Sequence, residues 1–345
     1  MNNAESIRRP FIIPVFLPHA GCPHQCVFCN QTSITGASRD MLSLENVERK
    51  ICEFLAYNSG DRRPAQVAFY GGNFLGLDKE YIKGLLNVSI KFVKNKDIDF
   101  IRFSTRPDTI DSERLDIIKD YPVSTIEIGA QSMDDGVLAA VKRGHFASDT
   151  QKAAVLLKQR HYEMGIQMMV GLPGEDENSS LTTGHRIGEL KPDFVRIYPT
   201  VVLKNSVLAK WYHNGEYRPW SLERSVAQVK RLYRLFKKNG IRVIRMGLQA
   251  AKDLDSGAAV LAGPYHPAFG HMVHSAMFLD MAVAAMETER ISCDSVILKV
   301  HPRSISKMKG LKNINVDTLK KRFHIKSLQI IPDASIAEDK PALSL

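Results

Sequence analysis

The sequence has no apolar run long enough to cross a bilayer, no internal repeat and no low-complexity tract. Its N-terminal apolar stretch is interrupted by Pro14 and Pro18, which suits neither a secretory core nor a spanning helix. A cytoplasmic protein without a membrane partner is therefore the expectation. Cysteine is scarce, at five in 345 residues, and the number is odd. That excludes a disulfide-dense secreted module, which needs many paired cysteines in place of a core. Apolar residues, at 44%, are not scarce, so wholesale disorder and a collagen-like repeat are excluded too.

Acidic residues run short: 47 Lys and Arg face 37 Asp and Glu, a formal charge of +10. The surplus is local. Residues 224–245 carry eight basic and no acidic side chains, residues 303–326 carry eight basic and one acidic, and the remainder is net −5. A basic C-terminal third can attract a polyanion such as nucleic acid. It can also be a solvated face, since Val226, Val229, Tyr233 and Phe236 form a helical stripe whose wet side lysine and arginine would occupy.

Strand-like runs fall at 12–17, 66–70, 99–105, 125–130, 165–170 and 194–198. Between them lie helix-period stretches such as Leu44, Val47, Ile51 and Phe54. Six βα units in succession predict an α/β fold with a parallel sheet and helical crossovers. Six units make a partial (β/α)6 TIM-like barrel, with reactive groups on the loops at the C-terminal strand ends. Past residue 200 the rhythm changes to a loop-rich stretch with Trp211, Tyr217 and Trp220, a basic helix, a strand at 241–248 and a strand–helix–strand pattern at 294–332. The expected division is a partial barrel over 1–200 and a smaller, basic C-terminal α/β appendage over 201–345.

Directly after the first strand stands Cys22-Pro-His-Gln-Cys26-Val-Phe-Cys29. Three thiolates on one short loop suit a soft metal. A cubane of four irons would keep one iron without a protein ligand, and an open position binds substrate or cofactor where a closed one is usually structural. The alternative is a structural zinc completed by His19 or His24, in a zinc-stabilised nucleic-acid-binding protein. Zinc ligands usually come as two separated pairs, and no second pair is present. Cys52 and Cys293 read as small buried residues, and His19 and His24 as shaping the loop by hydrogen bonding. On the fourth strand Glu127 and Gln131 share the barrel interior, where a buried carboxylate calls for a cofactor or a pairing base.

The cysteine spacing, after strand one of a partial barrel, resembles the radical S-adenosylmethionine (SAM) superfamily. The resemblance implies a [4Fe–4S] cluster on Cys22, Cys26 and Cys29, SAM on the vacant iron, an electron donor such as flavodoxin or ferredoxin, and hydrogen abstraction by a 5′-deoxyadenosyl radical. It also implies SAM contacts: Phe28 in the cysteine motif; Gly71, Gly72 and Asn73 at the methionyl ammonium; Ser104 and Gln131 at the ribose and methionine part; Arg143 gripping the carboxylate; Met169 and Gly171 on the adenine-binding strand. Within the superfamily, residues 126–133, Arg143-Gly-His145, 167–174, 195–203 and 215–217 are most similar to the branch containing the catalytic subunit of Elongator. That subunit acts on the wobble uridine of transfer RNA, so RNA is the implied partner. About 95 residues follow position 250, fewer than an acetyltransferase domain takes, so the expected form lacks one. The related branch of oxygen-independent coproporphyrinogen III oxidase, acting on tetrapyrroles, is the alternative. Tyr198, ending the sixth strand, is the candidate hydrogen donor or substrate contact, and the segment 263–274 gathers His266, His271 and His274 in one loop and helix start.

Overall fold

The computed structural model describes residues 10–23, 25–31, 42–57, 64–249, 252–291 and 293–344; His24 lies outside them. The six strand-like runs form β1 (Phe11–Phe16), β2 (Ala65–Tyr70), β3 (Phe100–Thr105), β4 (Val123–Gln131), β5 (Glu163–Val170) and β6 (Phe194–Pro199). They lie in chain order, each parallel to the next. Pro14 within β1 is tolerated because β1 is an edge strand, where a missing N–H breaks no inner ladder.

The crossovers are helices for local reasons. In α1 (Leu44–Ala56) the Ser43 side chain accepts from the Asn46 amide, and Val47 and Ile51 are buried. In α2 (Lys79–Lys94) Asp78 accepts from the Glu80 and Tyr81 amides, and Ile82, Leu85 and Leu86 are buried. Each acceptor satisfies amides that the first helical turn would otherwise strand.

Where six strands were expected the sheet has seven. After β7 (Val202–Leu203) and α3 (Leu222–Lys238) the chain re-enters it as β8 (Arg242–Met246), parallel to β6. The excursion before it is held by β9 (Val260–Ala262), which pairs antiparallel with β7. The barrel sheet therefore takes its last strand from beyond residue 200. Its hydrophobic core extends from Ile13 to Val273. A second core begins at Phe278, so the two meet along α4 (Phe269–Thr288). That second core lies under β10 (Ser295–Val300), β11 (Ser327–Pro332) and β12 (Ala342–Ser344), ordered β11-β10-β12 with β11 parallel and β12 antiparallel to β10.

The stripe on α3 faces inward as expected: Val226, Val229 and Phe236 are buried, and Tyr233 meets His274 edge-on at 5.1 Å. Its basic side is largely neutralised. Arg224 pairs with Glu177 at 2.6 Å, Lys230 and Arg234 share Asp280 at 2.6 and 2.8 Å, Lys237 reaches Asp339 at 2.6 Å and Arg242 reaches Glu163 at 2.9 Å. Cys52 and Cys293 are exposed, not buried. On α1 the inward positions belong to Val47 and Ile51, and Cys293 lies in the turn before β10 with its thiol on the Ser295 carbonyl. Among the described residues no helix is long and apolar enough to cross a membrane.

Candidate active site

The loop after β1 is pressed backbone to backbone onto the turn after β2. The Asn73 amide donates to the Ala20 carbonyl at 2.8 Å. A Cβ on Gly72 would stand 2.4 Å from the Ala20 oxygen, and one on Gly21, at φ +71°, would stand 2.3 Å from the Asn73 oxygen. Glycine is therefore required here so that two protein segments can touch. Gly71, at φ +98°, lies in ordinary contact with Leu17 and needs glycine for its backbone conformation.

Asn73 is fully buried, and its side chain is spent within the protein. Its Nδ2 donates to the Gly21 carbonyl, while Oδ1 accepts from Thr105 Oγ1, the Arg106 amide and Thr109 Oγ1 at 2.7 to 2.9 Å. These bonds fix the orientation of the side chain between the two turns.

The cysteine loop is tied to three other segments. The Val27 amide donates to the Val141 carbonyl, Leu208 donates to the Val27 carbonyl, and His19 exchanges hydrogen bonds with Gln31, the loop-shaping role expected for it. Arg143 is buried and donates from Nη1 to Cys26 Sγ at 3.2 Å and from Nη2 to the Gly129 carbonyl at 2.5 Å. Both Nη atoms are thus engaged within the protein, and Nε has no partner among the described residues. Burial pushes the Cys29 thiol up to about 12, with Cys26 and Cys22 adding to the shift. Burial also raises Cys22, against the pull of Arg143 and Arg106. The bare thiols of Cys22 and Cys29 are therefore protonated, and a metal must displace those protons to bind. His145 is held neutral, pushed down to about 3 by burial and by Arg143 and Arg106. Among the described residues no three His, Cys, Asp or Glu side chains gather tightly enough to hold one ion; a cubane takes one thiolate per iron, so its ligands need not converge on a point.

Inside the sheet the buried carboxylate finds its bases. Glu127 receives Arg102 Nη2 at 2.6 Å, Arg196 Nη2 at 3.1 Å, Tyr70 Oη at 3.3 Å and Gln167 Nε2 at 3.2 Å, with Arg196 Nε in ion-pair range at 2.7 Å. Burial alone would raise its pKa, but Arg196 and Arg102 outweigh that and hold it below the ordinary carboxylate range. Arg102 and Arg196 escaped the sequence reading, although their alternation with Ser104 and Tyr198 marks them as sharing a strand face. Ser104 accepts from Gln167 Nε2 at 3.1 Å. Gln131 is half-buried at φ +67° beside the β4–β5 bulge, a left-handed conformation costing a non-glycine residue about 1 kcal/mol. Tyr198, half-buried, interacts electrostatically with Arg196 and Arg245. Of the 263–274 histidines, His266 Nδ1 accepts from the Ala268 amide and His274 packs on Tyr233, while His271 Nδ1 is buried without a partner among the described residues.

Phe28 and Met169 come together in one apolar cluster with Leu172, Val202 and Tyr217. Gly171 sits under Trp220 at φ +76°. Its amide donates to Glu175 Oε2 at 2.6 Å and its carbonyl accepts from Tyr217 Oη at 2.6 Å, so the apolar wall, and not the Gly171 backbone, is available to a base. Glu175 was not foreseen. Burial pushes its carboxyl up to about 8 from 4.5, with Asp134 and Asp176 adding to the rise and the Gly171 and Leu172 amides opposing it. Since the folded value lies above the unfolded one, the stability it contributes is complete below about pH 4.5 and is lost as pH rises through about 8. Glu175→Gln keeps an acceptor for Gly171 and removes the titration. Melting curves of the two proteins should coincide near pH 4.5 and separate above pH 8 in favour of the variant, by up to a few kcal/mol at ~1.4 per pKa unit; parallel curves would refute the assignment.

A family model described as the radical SAM superfamily matches residues 16–183, and one for the Radical_SAM C-terminal domain matches residues 192–278. The chain belongs to the radical SAM superfamily. Like other radical SAM enzymes it uses a [4Fe–4S] cluster and SAM. Its relatives are Elongator-like. A tRNA uridine(34) acetyltransferase of Dehalococcoides mccartyi is 26% identical over 231 residues, 58% of this chain and 50% of that protein. The structure of Methanocaldococcus infernus Elp3 superposes with a TM-score of 0.61 at 19% identity, covering 82% of this chain and 64% of that one. Coproporphyrinogen III oxidase (HemN) from Escherichia coli shares the fold with a TM-score of 0.50 at 18% identity, over 69% of this chain and 54% of that one. The chain thus spans about half the length of the first of these relatives. Membership of this superfamily favours radical chemistry over the zinc-stabilised alternative.

Proposed function

We propose that Cys22, Cys26 and Cys29 hold the cluster and that the hydrogen is taken from a nucleoside of RNA, with transfer RNA as the substrate class. The observation that carries the first part is the Arg143 guanidinium donating to Cys26 Sγ, with Arg106 also acting on Cys22. Arg143, buried without a carboxylate partner among the described residues, suits a sulfur-ligated cluster of negative charge; Arg106 is held by Asp108 at 2.9 and 3.0 Å, with Nη1 alone unpartnered. When bound, cluster and SAM supply the reductive cleavage that gives methionine and the 5′-deoxyadenosyl radical. The chain's own part is to donate to the cluster sulfur through Arg143, to wall the base with Phe28, Met169 and Leu172, and to exclude water around them.

Two observations support RNA. Arg102 and Arg196 leave one positive charge in excess over Glu127, with Arg245 nearby, which suits a phosphate-bearing substrate. The Dehalococcoides relative, matched over 58% of this chain, is named for a tRNA uridine. A small reducing protein such as flavodoxin or ferredoxin, in the cytoplasm, would complete the system.

The test is anaerobic reconstitution with iron and sulfide, then SAM and a strong reductant, scoring 5′-deoxyadenosine. Product is expected, and added transfer RNA should accelerate its formation. No product from iron-loaded protein would remove the cluster assignment. Acceleration by coproporphyrinogen and not by RNA would remove the substrate.

A further inference from the structure

The basic window 303–326 is neutralised unevenly. Arg303, Arg322 and Lys326 are paired with Glu338, Glu287 and Asp294 at 2.6 to 3.0 Å. Lys307, Lys309, Lys312, Lys320 and Lys321 have no carboxylate partner among the described residues. These five gather around two short helices, α5 (Ile305–Lys309) and α6 (Ile314–Phe323), and the loop Gly310 to Asn313 between them.

Beside this loop runs a groove of about 540 Å³ between α6 and β11. Lys309, Asn313 and Lys320 line its rim, and Val316, Leu328 and Ile330 line its floor; Asp317 is the one acid on its wall. The loop holds Gly310, Lys312 and Asn313 at φ of 72°, 51° and 63°. The Asn313 side chain makes no capping bond, and the Ile314 amide donates to the Leu311 carbonyl. In the sheet β11 pairs with β10 alone, and its outer edge presents backbone donors and acceptors to the groove.

We propose that this groove binds single-stranded nucleic acid. Lysines 309, 312 and 320 and the loop meet successive phosphates, the aliphatic floor takes the base faces, and the outer edge of β11 meets base edges. A glycine loop between two helices clamps about four backbone nucleotides in one class of single-strand binder. A duplex has its base edges already paired and would gain the lysines alone. The proposal deepens the RNA reading by giving the polymer a docking place outside the barrel, and it is tested by binding alone.

The experiment uses the full chain and a short fluorescent oligouridylate, with anisotropy followed against salt. In Lys309→Ala/Lys312→Ala/Lys320→Ala, affinity should fall about tenfold or more and the log–log salt slope should flatten by about 2, from ~0.7 per lost phosphate contact. The corresponding Lys→Arg variant should retain binding, Lys158→Ala should change nothing, and matching melting curves establish that the folds are intact. Should the Ala variant misfold, Lys309→Gln/Lys312→Gln carries the same expectation at about two-thirds of the slope change. Unchanged affinity and slope overturn the proposal, as does preference for duplex, or for polyglutamate, which would make the groove a site for an acidic peptide. An oligodeoxyuridylate arm tells whether the 2′-hydroxyl contributes. SAM cleavage without RNA should be unaffected, so loss of the groove and loss of the radical assignment are told apart.

Discussion

Cys26→Ala is expected to give a folded protein that, reconstituted without oxygen, stays colourless and forms no 5′-deoxyadenosine. Cys26 is the most enclosed of the three, at 4% exposure, and the one whose sulfur accepts from Arg143. Its loss removes one iron ligand and leaves Arg143 Nη1 buried without an acceptor, a penalty of about 1–3 kcal/mol in addition to the lost metal. Iron content, about four per chain in the parent as a cubane requires, should fall below one in the variant. Cys52→Ala, on the exposed side of α1, is the control and should keep both iron and product. A Cys26→Ala protein that still released the nucleoside would refute ligation by this loop.

Glu127→Leu should be the most damaging substitution for stability. It strips the shared carboxylate from Arg102 and Arg196, which are held at 7% and 18% side-chain exposure. Breaking a buried pair by removing one partner costs about 3–5 kcal/mol, because the remaining charges stay buried. A fall in melting temperature of about 4–7 °C follows for a chain of 345 residues, at ~2.1 cal/mol/K of unfolding entropy per residue. The double variant Glu127→Leu/Arg196→Met should recover part of that loss, since replacing a pair by apolar groups avoids the stranded charge. The parent's acid sensitivity gives an independent readout. With the folded pKa below the unfolded one, the pair's contribution is present above the unfolded carboxylate value and vanishes as pH falls through the folded value. Glu127→Leu should lose that part of the acid limb; an unaltered limb would show that other carboxylates control it.

The sequence revealed the barrel through period and order. Each predicted strand reappears within two residues at either end, because apolar and β-branched residues recur along it and turn residues bound it. Residues 241–248 were legible as a strand but not as the seventh of the sheet. The intervening helix Val207–His213 and the β7–β9 pairing disguise the crossover, and pairing between distant segments has no local signature. Glu127 was legible as a buried charge in need of bases, but which arginines supplied them depends on strand register. For Asn73 and the glycines beside it, the motif tells that close approach is needed, not which protein segment approaches. Here it is the Ala20 carbonyl.

That contact has a thermodynamic consequence. The footing of the cysteine loop is fastened by Gly21, Gly72 and Asn73 through hydrogen bonds that involve no sulfur. Iron loading then resembles filling a prepared socket, unlike small metal-nucleated domains that collapse only around their ion. A chelator should bleach this protein while its circular dichroism and cooperative melting persist.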